Sequence, residues 1–139
     1  MKHQPTQVPF FYQILIAFLV LNGVTEAFGI QIFFAMARTW ELEIPEEFYV
    51  YIATTFIAIA LTVVLIFGIV KMKRFIPIVS LLFFLDKLAY ILYVQVWLPL
   101  QMGPAFVSTR ILTMKIIMLS LVGIPLLIKI FHDRKQFGN

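Results

Sequence analysis

The sequence predicts an all-α membrane protein in which four transmembrane helices form an up-down bundle. The first observation is composition: of the 139 residues, 62% are hydrophobic and 13% are charged, whereas soluble domains carry about 25% charged residues. The second is a mean hydropathy of +0.98. The third is a set of four apolar stretches that approach or exceed the roughly 20 residues needed to cross a bilayer. We therefore predict a single transmembrane domain over residues 1–139.

The first span covers about residues 10–36 and the second about 48–70. The first follows a short polar tail, and hydrophobicity resumes after Glu26, so we interpret it as a span rather than as a cleaved signal peptide. The linking sequence TWELEIPEEF contains a proline and several acids, which favour the end of one helix and the start of the next.

The third span covers about residues 75–97 and follows KMKRFIP, while the fourth covers about 106–131 and follows LPLQMGP. Proline or clustered charge again separates the helices. Inside the fourth span, Gly123 and Pro125 predict a kink, because proline removes a backbone donor and its ring clashes with the preceding turn.

The distribution of lysine and arginine predicts that both termini lie in the cytoplasm or its organellar equivalent. Seven basic residues fall on one side of the bundle: Lys2, Lys71, Lys73, Arg74, Lys129, Arg134 and Lys135. The opposite side carries Arg38 and a group of glutamates between the spans. We expect the membrane to be a bacterial or archaeal plasma membrane or an organellar membrane. The rim formed by Lys71, Lys73 and Arg74 is a topology signal and a candidate surface for anionic lipid headgroups.

Several charged residues lie at membrane depth, where each costs on the order of 3 kcal/mol unless it is paired or hydrated. They are Glu26, Asp86, Lys87 and Lys115, with Arg110 nearer the outer interface. Neighbours one position apart on a helix do not face each other, so Asp86 needs a partner other than Lys87. We predict that Glu26 pairs with Lys115 or Arg110, with Asn22 one turn away. Such a cluster serves either to hold the helices together or as a functional polar site.

Side-chain spacing predicts which helix faces meet. Asp86, Tyr90, Tyr93 and Trp97 recur at one-turn intervals and form either a cavity-lining stripe or an aromatic anchor at the interface. Small residues let helices approach closely in lipid. We expect close packing along two such rows: Thr54, Ala58 and Thr62 in the second span, and Thr109, Thr113, Ser120 and Gly123 in the fourth.

The sequence argues against several chemistries. The absence of cysteine excludes disulfides, thiolate metal sites and cysteine nucleophiles. His3 and His132 lie in or beside the tails, so a bis-histidine haem inside the bundle is not expected. The glutamates at 41, 43, 46 and 47 fit a helix cap better than a metal site. Glycine-rich phosphate loops, G-x-S-x-G and H-E-x-x-H are missing. We predict no catalytic motif, cofactor, metal or nucleic-acid partner.

Three functions fit this pattern. The first is a non-catalytic subunit of a larger membrane complex, with its charges paired within the bundle or across a subunit interface. The second is a small homo-oligomeric transporter or channel, coupled to protons or cations through Glu26 or Asp86. The third is a protein with a lipid or sterol pocket, in which the same two carboxylates act as an isomerase-like acid and base. All three involve membrane lipids as partners.

Overall fold

The computed structural model describes residues 8–103 and 108–138, apart from the side chains of Glu47 and Met102. Every regular element in these ranges is helical. Within the described ranges, four helices are long and apolar enough to cross a membrane, judged by length and composition. The predicted class, a bundle of four apolar helices, is confirmed at this level. The predicted start of the fourth span, near residue 106, lies outside the described residues.

The first two spanning helices are regular. Helix α1 is Phe10–Thr39 and begins directly after Pro9. A short 3₁₀ turn, Glu46–Phe48, leads into helix α2, Tyr49–Lys71. Helix α2 ends at Met72, whose φ of 48° is left-handed, and the Lys73 N–H donates to the Gly68 carbonyl. This bond satisfies one of the carbonyls that a helix end leaves free.

The third and fourth spanning helices each contain a π-helical segment. We name as α3 the consecutive segments Ile76–Tyr90, Ile91–Trp97 and Leu98–Met102, of which the middle one is π-helical. We name as α4 the segments Thr109–Met118, Leu119–Gly123 and Ile124–His132, again with a π-helical middle. A 3₁₀ turn, Asp133–Gln136, closes the chain's last helix.

Each π-helical segment ends at the second residue before a proline. The Leu98 N–H donates to the Tyr93 carbonyl and the Ile124 N–H donates to the Leu119 carbonyl, both five residues back. A proline at the next position has no N–H and crowds the carbonyl four residues earlier, and the wider π turn relieves that crowding. The irregularity expected at Gly123 and Pro125 is therefore a π turn. The third helix continues through Pro99, which is further than the predicted end near residue 97.

The helices pack in chain order, α1 on α2, α2 on α3 and α3 on α4. A buried cluster joins the start of α1, the end of α2, the start of α3 and the end of α4: Tyr12, Leu15, Leu19, Leu65, Ile69, Met72, Ile76, Ile130 and Phe137. We call this the terminal end of the bundle and the opposite one the loop end.

At the terminal end, α1 is tied to the end of α4 by a buried polar contact. The Tyr12 hydroxyl donates to Asp133 Oδ2 over 2.8 Å, and Lys129 Nζ donates to the same oxygen over 3.1 Å. The Tyr12 ring also packs edge-on against Phe137, with 5.4 Å between ring centroids. These contacts close the gap between the first and last helices at this end.

Small residues bring α1 and α2 together. Thr54, Ala58 and Thr62 are buried, as their spacing predicted. A Cβ added at Gly23 would lie 3.2 Å from Thr62 Cγ2, so the two backbones approach closely there.

The prediction for the small residues of the fourth span is wrong within this chain. Thr109, Thr113 and Ser120 are exposed. Gly123 is the member of the row that meets another helix, since a Cβ added there would lie 3.1 Å from the Phe84 ring. The physical reason is that α4 packs along α3 alone for most of its length. Most of its circumference therefore lies outside the bundle.

Candidate functional site

A cavity of about 610 Å³ lies between α1, α3 and α4, with α2 behind it. Its lining on α1 reaches from Leu15 to Gly29, about 21 Å at 1.5 Å per helical residue. Phe18 on α1 and Met114 and Met118 on α4 also line it, although they are 53%, 61% and 57% exposed. The cavity therefore opens sideways through the seam between α1 and α4.

An ion pair between α1 and α3 stands in the wall of this cavity. Lys87 Nζ donates to Glu26 Oε1, and each side chain is 21% exposed. The predicted pairing of Glu26 with Lys115 or Arg110 is wrong in this structure. The reason is that α1 and α4 do not pack together at this level, whereas α3 turns Lys87 toward the space that Glu26 faces.

Lys115 reaches the cavity from α4 and contacts an aromatic ring. Its Nζ lies 4.9 Å from the centroid of Tyr90 on α3, a cation–π contact worth about 0.5–2 kcal/mol. Among the described side chains no carboxylate lies within 4.0 Å of this ammonium. Arg110 is exposed near the start of α4 and does not line the cavity.

Two buried polar groups in the cavity wall have no hydrogen-bond partner within the described structure. They are Asn22 Nδ2 on α1 and Ser80 Oγ on α3. Ser80 is only 7% exposed. A buried donor or acceptor left without a partner costs about 1–3 kcal/mol, so the cavity wall contains two hydrogen-bonding groups that the described residues do not satisfy.

Asp86 is separated from this site by the geometry of its helix. Its Oδ2 is buried without a partner among the described residues, yet Asp86 does not line the cavity. Asp86 follows Val79 by two helical turns, so the two residues lie on the same face of α3, and Val79 packs against the buried cluster. The adjacent Lys87 lies on a different face and lines the cavity. The two carboxylates of the isomerase-like hypothesis, Glu26 and Asp86, therefore do not face each other across it.

The predicted aromatic stripe of α3 is split by the π-helical segment. Tyr90 lines the cavity. Tyr93 and Trp97 lie outside its lining and stack on each other, with 5.1 Å between ring centroids and an interplanar angle of 18°. Because a π turn bonds five residues back instead of four, it breaks the one-turn spacing on which the stripe was predicted.

The sequence did not single out three further polar side chains of the cavity: Thr25, Tyr51 and Ser80. Ser80 lies seven residues before Lys87, which puts both on one helix face, and this spacing could have identified it. Tyr51 resembles any aromatic residue near a membrane border. Its place against the Tyr90 ring, 6.0 Å between centroids, depends on how α2 meets α3.

The basic rim lies at the terminal end, around the turn that ends α2. Lys71 and Arg74 are exposed and Lys73 is half-buried. Binding of anionic headgroups there stays a prediction.

Comparisons with protein-family models, with curated proteins and with solved structures find no match to this chain. The arguments about function therefore rest on the geometry of the bundle and its cavity.

The ion pair makes a prediction about stability. Replacing Glu26 by Gln leaves the Lys87 charge without its partner, and replacing Lys87 by Met leaves the Glu26 carboxylate alone. We expect each single change to lower the free energy of unfolding by about 3 kcal/mol, the lower end of the range for a broken buried pair. The double variant should recover part of this loss. Denaturant unfolding of the protein in detergent measures all three.

A second cycle provides the control. Lys115→Met combined with Glu26→Gln should show a weaker coupling than Lys87→Met with Glu26→Gln, because Lys115 contacts the Tyr90 ring while Lys87 contacts Glu26 directly. Coupling of Glu26 to Lys115 that exceeds its coupling to Lys87 would contradict the observed pairing.

Proposed function

We propose that this protein binds one amphipathic molecule from the bilayer in the cavity between α1, α3 and α4. The observation that carries the proposal is the cavity itself, which combines a mostly apolar lining with charged groups from three helices and opens through the α1–α4 seam. The proposal corresponds to the lipid- or sterol-pocket alternative of the sequence analysis, without the pair of acid–base carboxylates.

The position of the opening supports a ligand that arrives from the membrane. The seam runs along the sides of two helices that are apolar enough to span a bilayer, so in a membrane it faces hydrocarbon rather than water. The apolar part of a ligand that enters through this seam stays in an apolar environment. The ligand gains hydrogen bonds from the cavity wall only after entry.

The size of the cavity supports a single small ligand. Pockets for small molecules measure about 300–1,000 Å³ and combine an apolar lining with a few polar groups that orient the ligand. The volume of about 610 Å³ lies within this range.

A second candidate function is that of a subunit in a membrane complex, and the exposure of α4 favours it. Within its most apolar window of 18 residues, none is buried inside the bundle. Thr113 and Ser120 are exposed there. Hydroxyls at helix surfaces are typical of contacts between helices in lipid, so we propose this face of α4 for a neighbouring subunit, either foreign or a second copy. The ion-coupled transporter stays a prediction, since Lys87 neutralises Glu26 and Asp86 lies outside the cavity.

We also propose that the terminal end faces the cytoplasm or its organellar equivalent. The support is the excess of lysine and arginine at that end. Under this proposal the headgroup-facing rim of Lys71, Lys73 and Arg74 lies in the inner leaflet, in a bacterial, archaeal or organellar membrane.

Filling the cavity tests the ligand-binding proposal. Val122 lines the cavity from α4, so Val122→Trp should remove space for a ligand. The neighbouring Leu121 is 71% exposed and lies outside the lining, which makes Leu121→Trp a matched control. Binding of radiolabelled hexadecanol in phosphatidylcholine nanodiscs should fall at least about tenfold in Val122→Trp and stay unchanged in Leu121→Trp, because each 1.4 kcal/mol of lost contact is tenfold in affinity.

Two results would overturn the proposal. One is a wild-type protein that binds no more hexadecanol than empty nanodiscs do. The other is equal binding by both tryptophan variants, which would locate the probe outside the cavity.

The subunit proposal predicts a stable association. Purification of tagged protein in mild detergent, followed by mass spectrometry, should recover other membrane subunits or a second copy in fixed ratio. Thr113→Leu together with Ser120→Leu should weaken that association, whereas the exposed pair Val63→Leu and Val64→Leu on α2 should not. A clean monomer would rule the proposal out.

Orientation is testable because the chain contains no cysteine. Gln101→Cys at the loop end and Gln136→Cys at the terminal end replace exposed glutamines on helices. A membrane-impermeant maleimide applied to intact cells should label position 101 and should label position 136 only after permeabilisation. The reverse pattern would invert the proposed topology.

A further inference from the structure

The charges in the cavity wall do not balance. Glu26 and Lys87 neutralise each other in their ion pair. Lys115 adds a second ammonium, and its described contact is with the uncharged ring of Tyr90. The three charged groups that line the cavity therefore sum to one positive charge, held where water is scarce and an unmatched charge is costly.

We propose that the cavity selects amphiphiles with a single negative charge, specifically a long-chain carboxylate whose headgroup lies at Lys115. This inference rests on the proposed function and adds the chemical class of the ligand. A monoanion brings the cavity to neutrality. A cationic amphiphile would face Lys115 and would find Glu26 already occupied by Lys87, and a neutral one would leave Lys115 without a counter-ion.

A carboxylate matches the chemistry of the Lys115 ammonium. An ionised carboxyl group only accepts hydrogen bonds, with two oxygens and about four lone-pair sites, and an ammonium only donates them. Hydrogen bonds between charged groups are the stronger kind. The unsatisfied Ser80 hydroxyl lies ten residues before Tyr90 on α3, about 15 Å along the helix, so it is outside the reach of a headgroup at Lys115.

The shape of the cavity gives the ligand a direction. Lys115 and Tyr90 lie toward the loop end, and the lining toward the terminal end is mostly apolar, with Leu15, Leu126 and Ile130 beside the hydroxyl of Ser80. The headgroup therefore belongs at the loop end of the cavity and the chain toward the terminal end. A volume of about 610 Å³ suits one small molecule, which is why we assign one acyl chain rather than the two of a phospholipid.

The test compares three probes with similar chains in phosphatidylcholine nanodiscs containing the full-length protein. They are palmitate, hexadecanol and hexadecyltrimethylammonium. We expect palmitate to bind wild-type protein at least about tenfold more tightly than hexadecanol, the ratio that one charge-assisted contact supplies, and the cation to bind most weakly. Methyl palmitate, which has the same chain without the charge, should displace palmitate only at concentrations at least about tenfold higher than unlabelled palmitate needs.

Substitutions locate the effect. Lys115→Met should abolish the preference for palmitate over hexadecanol, and Lys115→Arg should retain the preference. Lys71→Met is the matched control, because Lys71 is exposed outside the cavity, and it should bind as wild type does. If Lys115→Met folds poorly, the comparison of palmitate with hexadecanol on the wild-type protein still tests the proposal, because that comparison uses no variant.

The outcomes separate this inference from the proposed function. Equal binding of palmitate and hexadecanol, with both lost in Val122→Trp, would overturn the preference for an anion and leave the ligand-binding proposal standing. Failure of both probes to bind would overturn the proposed function itself. Displacement of palmitate in equal amount by phosphatidylglycerol added to the nanodiscs would show that the anion is a membrane phospholipid and that the assignment of a single-chain carboxylate is wrong.

Discussion

The ion pair between Glu26 and Lys87 is the constraint on which the rest of the bundle depends. Each charge is costly alone at membrane depth, and the pair forms because α1 and α3 present these two residues to the same space. Helix α2 packs against both helices and lies behind the pair. In this arrangement the side of the ion pair that faces away from α2 is left open, and α4 covers that side only in part. The cavity is the space that this arrangement leaves.

Prolines then shape the helices that form the other walls. Pro99 and Pro125 each follow a π-helical segment, in α3 and α4 respectively. A π turn shifts all later side chains around the helix axis relative to a regular helix. On α3 the shift begins directly after Tyr90, so Tyr90 stays in the cavity while Tyr93 and Trp97 leave its lining. On α4 the segment lies opposite Phe84, where Gly123 permits close contact.

The two ends of the α1–α4 seam differ in how they are held. At the terminal end the Tyr12 hydroxyl and Lys129 converge on Asp133, and Phe137 covers the Tyr12 ring. Along the cavity, Phe18 on α1 and Met114 and Met118 on α4 are each more than half exposed. Under the proposed function, a cleft that is fastened at one end and open along its side would admit a ligand laterally without requiring any other helix contact to break.

Span length and hydropathy are local properties, so four helices apolar enough to span a membrane could be predicted from the amino-acid sequence. The polar residues within the spans, Asn22, Glu26, Lys87 and Lys115, could also be identified there, because their cost in hydrocarbon does not depend on the fold. The pairing of Glu26 with Lys87, the positions of Asp86 and Arg110 outside the cavity, and the presence of Ser80 and Tyr51 in its lining became known from the helix arrangement. Pairing depends on which helices are neighbours and on how each is rotated. In lipid, helices that are apolar on every side carry no hydrophobic stripe to reveal either property.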